Sequence, residues 1–272
     1  MTQKVATTYL FSDAGLEALR GFIDPETLFA FDLDGTLAPI AADPGGIRVP
    51  AAVQKALADL RKRAMIAIIT GRSRKDAQRH LRVVPQYLVG NHGAEGLPGW
   101  EQCEEEFRRL TGGWEKQLRR SIPDDSDSGI VVENKGMSLS IHYRNAPDRR
   151  ASRSLVLDVI GQLIPGPRVV GGKYVENLLP AEAPDKGEAL MQLMRRAGRE
   201  KGFFVGDDRT DEDVFRLDGD RLFTVRVGTG RKSQARFFLR GQREIPLLLR
   251  HINDALIGKG TGADPQSATV RP

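Results

Sequence analysis

Cysteine is almost missing from this chain: of 272 residues only Cys103 carries a thiol. No intrachain disulfide can form and no cysteine-built zinc site can be assembled, so a reducing cytoplasm is the expected setting. No apolar run approaches the roughly 20 residues that cross a bilayer, and the segment Val5–Phe11 lacks the apolar centre of a signal peptide. Aromatic residues make up only 6% of the chain. They do not interleave with the basic groups Arg61-Lys62-Arg63, Arg149-Arg150 and Arg195-Arg196. A net charge of +5 therefore comes without a stacking platform for bases, and the basic groups read as solvated helix faces. Neither nucleic acid nor a membrane is an expected partner. The four histidines, His80, His92, His142 and His251, have no zinc-protease spacing, and there is no Gly-x-Ser-x-Gly elbow. Gly228–Ser233 approximates a phosphate-binding loop, but no glycine precedes Lys232 and the leading spacing fails.

What is present is organised around Leu28–Pro39. Leu28 to Phe31 form an apolar, aromatic-rich run suited to a strand buried on both faces. Asp32 and Asp34 follow, then Gly35 and Thr36 break the strand. With a period of 2, both carboxylates can project to one side at the strand's carboxyl end, where open α/β sheets place ligands. Carboxylates so close together require a cation or a shared proton. A plain strand followed by an Asp-Gly turn is the competing reading.

A helix is expected before this strand, over Ser12–Phe22, with Ser12 as its N-cap. Helical periodicity follows over Ala51–Arg63, a second apolar strand over Met65–Ile69 ending in Thr70-Gly71-Arg72, a helix over Ser73–Leu81, and a third strand over Tyr87–Gly90. From about Leu97 the character changes. A charged helix (Trp100–Arg120) and a loop (Pro123–Gly129) precede strands at Ile130–Glu133, Ser138–Tyr143, Arg168–Val170 and Tyr174–Leu178, with a helix at Arg149–Leu163 between them. That order suggests a small antiparallel α+β module. Beyond Pro184 the α/β alternation returns: helix Gly187–Ala197, strands Phe203–Val205 and Leu222–Val227, and a closing helix Ile245–Ile257.

Four polar sets now stand at element ends: Asp32/Asp34, Thr70, the turn Asp185-Lys186-Gly187, and Asp207/Asp208/Asp211. Each alone has an ordinary explanation, as a turn, a cap or a solvated lysine. Together, Asp-Leu-Asp-Gly-Thr, Ile-Ile-Thr-Gly-Arg, Asp-Lys-Gly and Gly-Asp-Asp-x-Thr-Asp-Glu-Asp resemble the haloacid-dehalogenase-like phosphatase superfamily. Within it, Gly90-Asn91-His92-Gly93-Ala94-Glu95, Val132–Gly136, Ile141–Arg144 and Gly172-Lys173 are similar to the trehalose-6-phosphate phosphatases.

The resemblance implies an α/β fold: a Rossmann-like parallel-sheet core (residues 1–96 and 183–257) carrying an inserted α+β cap of the C2 type (97–182), with 258–272 a disordered tail. It implies that Asp32 is the nucleophile, that Asp34 is the general acid and base, and that Thr70 and the Gly71 amide hold phosphoryl oxygens while Lys186 offsets charge. It also implies Mg2+ on Asp32, the main-chain oxygen of Asp34 and Asp207, with Asp208 or Asp211 behind; hard oxygen donors suit that ion. Arg72, His92, Glu133, Lys135, Arg144, Lys173 and Asn177 are then the residues expected to meet a small sugar phosphate. Glu133, Lys135 and Arg144 can equally be surface charges paired with one another.

The chain departs from the family at the last cap strand. Asn177 and Leu179 stand where a glutamate and a basic residue are usual, and Glu176 falls on the opposite face of a regular strand. The expected activity is hydrolysis of trehalose 6-phosphate. A phosphatase of another glycosyl phosphate, of the glucosylglycerol or mannosylglycerate type, and a sugar phosphomutase are the alternatives. Oligomeric state is open.

Overall fold

The computed structural model describes residues 7–41, 46–122, 128–217, 219–230 and 232–260. Residues 123–127 of the expected loop and 261–272 of the expected tail lie outside these. Eleven strands, β1 (Thr8–Tyr9), β2 (Leu28–Phe31), β3 (Ile66–Ile69), β4 (Tyr87–Val89), β5 (Val131–Asn134), β6 (Leu139–His142), β7 (Arg168–Gly172), β8 (Val175–Leu179), β9 (Gly202–Gly206), β10 (Leu222–Val227) and β11 (Phe237–Leu239), form two sheets among the described residues. The helices are α1 (Asp13–Phe22), α2 (Ala51–Arg61), α3 (Arg74–His80), α4 (Glu101–Ser121), α5 (Arg149–Ile160), α6 (Lys186–Arg196), α7 (Glu212–Phe215) and α8 (Ile245–Gly260). No described helix is long and apolar enough to cross a membrane.

The larger sheet has the order β1-β11-β10-β9-β2-β3-β4, and every neighbouring pair is parallel. Alternation along β2 shows why both faces are covered. Phe29 and Phe31 enter one apolar cluster with Val53, Leu57, Leu249 and Ile252 from α2 and α8. Leu28 and Ala30 enter another with Leu190, Leu193 and Phe204 beneath α6. Burying one such phenylalanine contributes about 1.5–3 kcal/mol. From β2 the chain runs outward through β3 and β4, then returns to β9 on the other side. The reversal sits between β2 and β9, so their carboxyl ends frame the crevice that this topology reserves for ligands.

The smaller sheet is antiparallel, β5-β6-β8-β7. Leu139, Ile141 and Leu178 face α4 and α5, meeting Trp114, Leu118, Val156 and Val159. Its other face joins the larger unit through Met137, Leu179, Ala94 and Ala183.

Three elements escaped the sequence reading. β1, β11 and α7 span two, three and four residues, too short to show a period of 2 or 3.6. The closing helix continues past Ile257 to Gly260, so the first three residues of the expected tail are helical.

Candidate active site

β2 delivers Asp32 into the crevice. Its N–H still bonds to the Val205 carbonyl of β9 at 2.9 Å, so the side chain emerges where the ladder ends. Beyond β9, Asp207 and Asp211 come from the next loop. The carboxylates of Asp32, Asp207 and Asp211 have oxygens within 4.8 Å of one another. Gly35, at φ +77, makes this approach possible, because a Cβ there would collide with the Asp207 carboxylate.

Asp185 caps α6 through a reciprocal pair with Glu188. This fixes Lys186, the first helical residue, beneath the carboxylates. Its ammonium donates to Asp32 Oδ1 at 2.8 Å and to Asp211 Oδ1 at 2.7 Å. Burial alone would lower the Lys186 pKa, but Asp211 and Asp32 outweigh it and hold the group protonated. Burial, with the neighbouring Asp211, Asp207 and Asp34 charges, pushes the Asp32 carboxyl well above the usual carboxylate range against the pull of Lys186. Asp207 is pushed up to about 7 by burial and by Asp211 and Asp208. Three carboxylates gathered this closely, all hard oxygen donors, fit a small divalent cation. Asp211 is fully buried and belongs to the group itself. Asp208 is exposed and stands at the start of the short turn Arg209–Asp211, where its N–H donates to Asp211 Oδ2 at 2.8 Å.

Asp34 is held from the β3 side. Arg72 Nε and Nη2 donate to its two oxygens at 2.6 and 2.7 Å, while Nη1 reaches Asp76, one turn along α3, at 2.5 Å. Arg72, which the resemblance sets among the substrate-binding residues, is thus paired with Asp34 and Asp76. Thr70 is fully buried, its Oγ1 accepting from the Arg72 N–H at 3.2 Å. Gly71 lies against the His92 ring, which a Cβ would strike. Burial, then Lys186, Lys135 and Arg168, hold His92 well below the usual histidine range, so its ring is neutral.

Over this crevice stands the turn between β5 and β6. Lys135 is 16% exposed and its ammonium is 3.9 Å from Glu133. Burial lowers its pKa, and Glu133, Arg72, Asp34 and Asp76 are the charges it senses. Glu133 also meets His142 Nε2 at 2.9 Å, a pairing absent from the sequence reading because it depends on strand register. Lys173 is exposed in the β7–β8 turn and has no hydrogen bond or ion pair among the described residues. The Arg144 carbonyl accepts from Arg149.

Asn177 is turned into the sheet: its Oδ1 accepts from Ser140 Oγ at 2.6 Å and its Nδ2 donates to the Val170 carbonyl at 3.1 Å. Glu176, on the helix face as its parity requires, is buried under Tyr143 and Arg153, at 3.1 and 2.9 Å. Arg226 was also missed. It closes the loop after β9 by donating to the Asp207 carbonyl at 2.7 Å while paired with Glu212. Its position at the end of β10, level with Gly206 of β9, is a property of register.

A trehalose-phosphatase family model matches residues 30–242. The trehalose-6-phosphate phosphatase of Escherichia coli K12 is 32% identical over 237 residues, covering 83% of this chain and 86% of that protein. The trehalose-phosphate phosphatase of Mycobacterium marinum is 31% identical over 229 residues, 76% of this chain and 55% of the relative. The chain thus spans little more than half of that relative's length. Among solved structures, that of a trehalose-6-phosphate phosphatase related protein has a TM-score of 0.67 at 24% identity, covering 86% of this chain and all of the other. The Candida albicans trehalose-6-phosphate phosphatase C-terminal domain has a TM-score of 0.66 at 20% identity, covering 93% and 99%. These share the fold, a parallel-sheet core carrying a smaller antiparallel α+β unit. Since the matched region runs from β2, through the cap, to the turn before α8, the chain belongs to the trehalose-phosphatase family.

Proposed function

We propose that the protein hydrolyses trehalose 6-phosphate to trehalose and inorganic phosphate with the help of Mg2+. The observation that carries this reading is the set of buried Asp32 and Asp211 and half-buried Asp207 on Lys186, at the sheet's switch point and under a cap that brings Lys135 and Glu133. In this reading the catalytic core is residues 1–96 and 183–257 and the cap is 97–182.

Asp32 attacks the phosphorus in line, and the bond from phosphorus to the sugar oxygen breaks as the phosphoryl group passes to the Asp32 carboxylate. Asp34 gives the leaving oxygen its proton, then takes a proton from the water that splits the aspartyl-phosphate and frees phosphate. Thr70 and the Gly71 amide receive equatorial oxygens, and Lys186 balances charge beside the nucleophile. Asp32, Asp207 and the main chain of Asp34 would hold Mg2+, with Asp211 beside them; the ion supplies neutralisation of phosphoryl charge. Lys135 and Glu133 offer charged hydrogen-bonding partners to sugar hydroxyls.

Phosphate release from a panel of sugar phosphates tests the reading, with fastest release from trehalose 6-phosphate as the expected result. Release from another glycosyl phosphate alone would keep the chemistry and remove trehalose; isomerised sugar phosphate without release would replace hydrolysis by mutase action. The second reading, a different glycosyl phosphate, has one observation in its favour: Asn177 is bound within the sheet and Leu179 is apolar.

A further inference from the structure

Between β4 and α4 the backbone enters the left-handed region at three successive residues, Asn91 (φ 50), His92 (φ 59) and Gly93 (φ 124). Such a run is retained where the surroundings over-determine it. Here they do. The Asn91 N–H donates to the Arg72 carbonyl at 2.7 Å and the His92 N–H to the Thr70 carbonyl at 3.0 Å, so the turn is stitched to the loop that holds Asp34. A Cβ on Gly93 would collide with the Pro184 and Asp185 carbonyls, the lead-in to Lys186.

The Asn91 side chain then crosses to the cap. It is fully buried. Its Oδ1 accepts from Ser138 Oγ at 2.6 Å, and its Nδ2 donates to the Lys135 carbonyl at 3.3 Å and to Glu95 Oε2 at 2.8 Å. Ser138 and Lys135 close the cap turn between them through a Lys135 N–H bond to the Ser138 carbonyl at 2.9 Å. Thr111 of α4 secures the same turn by donating to the Gly136 carbonyl at 2.6 Å.

This arrangement has work to do, because Lys135 and Arg72 are like charges that sense the same carboxylates, Asp34 and Asp76. Their repulsion favours separation unless the backbone at both ends is fixed. One amide links the two backbones, and only an amide supplies two donors and an acceptor in that plane. We propose that Asn91 is a positioning residue, a latch that ties the Lys135 turn of the cap to the Thr70–Arg72 loop of the core and so sets Lys135 over Asp34. The role of Lys135 toward substrate rests on the function proposed above; the latch itself does not.

Two measurements on the full chain test this. Acetylation of individual lysines, followed by mass spectrometry, reads the placement of Lys135 without any turnover. In Asn91→Ala, Lys135 should label several-fold faster while the exposed Lys62 stays unchanged. With sugar phosphate as substrate, Asn91→Ala should raise KM about tenfold with little change in kcat. In a Lys135→Ala background it should add almost nothing, the coupling expected of residues acting through one another. If Asn91→Ala does not fold, Ser138→Ala removes one bond, keeps the backbone turn, and should give the same pattern at smaller size. Unchanged Lys135 labelling in the folded variant overturns the latch. Additive effects on KM overturn its action through Lys135. Faster labelling in a protein that releases no phosphate from any substrate leaves the latch standing and removes the proposed function.

Discussion

Arg72 holds both carboxylate oxygens of Asp34, at 2.6 and 2.7 Å, with Asp76 fixing the far side of the guanidinium at 2.5 Å. A bidentate fork of this kind orients a carboxylate more rigidly than any single donor. In the proposed reaction the fork would have to loosen for an Asp34 oxygen to exchange a proton with the leaving group or with water. Arg72→Ala should lower kcat/KM about 100-fold. Arg72→Lys should recover only part of this, since an ammonium cannot reproduce the fork. Steady-state kinetics on the two variants check it; equal activity of lysine and arginine would remove the geometric role.

Asp32→Asn should abolish turnover, falling at least about 10⁴-fold, while the protein stays folded. Asp32 is buried beside three other carboxylates that raise its pKa, and Lys186 keeps Asp211 as a partner when one charge is lost. A thermal melt within a few degrees of the parent, together with absent phosphate release, is the expected pair of results.

Lys186→Met removes the cation between Asp32 and Asp211. Breaking a buried pair by deleting one partner costs about 3–5 kcal/mol, because an uncompensated charge remains. Urea unfolding of the metal-free variant should show a loss of that order, and an unchanged midpoint would count against the buried network.

Asp207 gives a pH signature. A carboxyl whose folded pKa is raised to about 7 binds a proton in the folded state that the unfolded chain releases near pH 4. Metal-free stability should therefore fall as pH rises from about 4 to 7. Mg2+ binds the ionised form, so its affinity should rise by up to about tenfold per pH unit over the same window and level off above it. Chelation should stop phosphate release and Mg2+ restore it. Calorimetric titration at several pH values measures this directly.

Asn177 is bound on both sides within the cap sheet. Asn177→Asp cannot donate to the Val170 carbonyl and should cost about 1–3 kcal/mol of stability, leaving the ranking of sugar phosphates unchanged. A changed ranking would show that the side chain meets substrate after all.

Much of this was legible without coordinates. Asp32 and Asp34 follow an apolar run, and both the aromatic and the aliphatic face of that run are buried as a two-sided strand requires. The caps on α1 and α6, at Ser12 and Asp185, also read directly, because a cap is a matter of three or four consecutive residues. The parity that set Glu176 opposite Asn177 held for the same reason: it is a property of one strand. Lys173 lies outside that strand, since Tyr174 turns at φ +64 before β8 begins.

What the sequence by itself determined, then, was the local alternation of apolar and polar residues, which sets the elements and their carboxylate-bearing ends. The tertiary structure alone decided who meets whom: Arg72 with Asp34, Asn91 with Ser138, Glu176 with Arg153, and the short strands β11 and β1 added beyond β10 to a sheet whose centre they do not resemble. Those pairs are 38, 47 and 23 residues apart. No period of 2 or 3.6 reaches across such distances, and only the order and register of the strands bring the partners together.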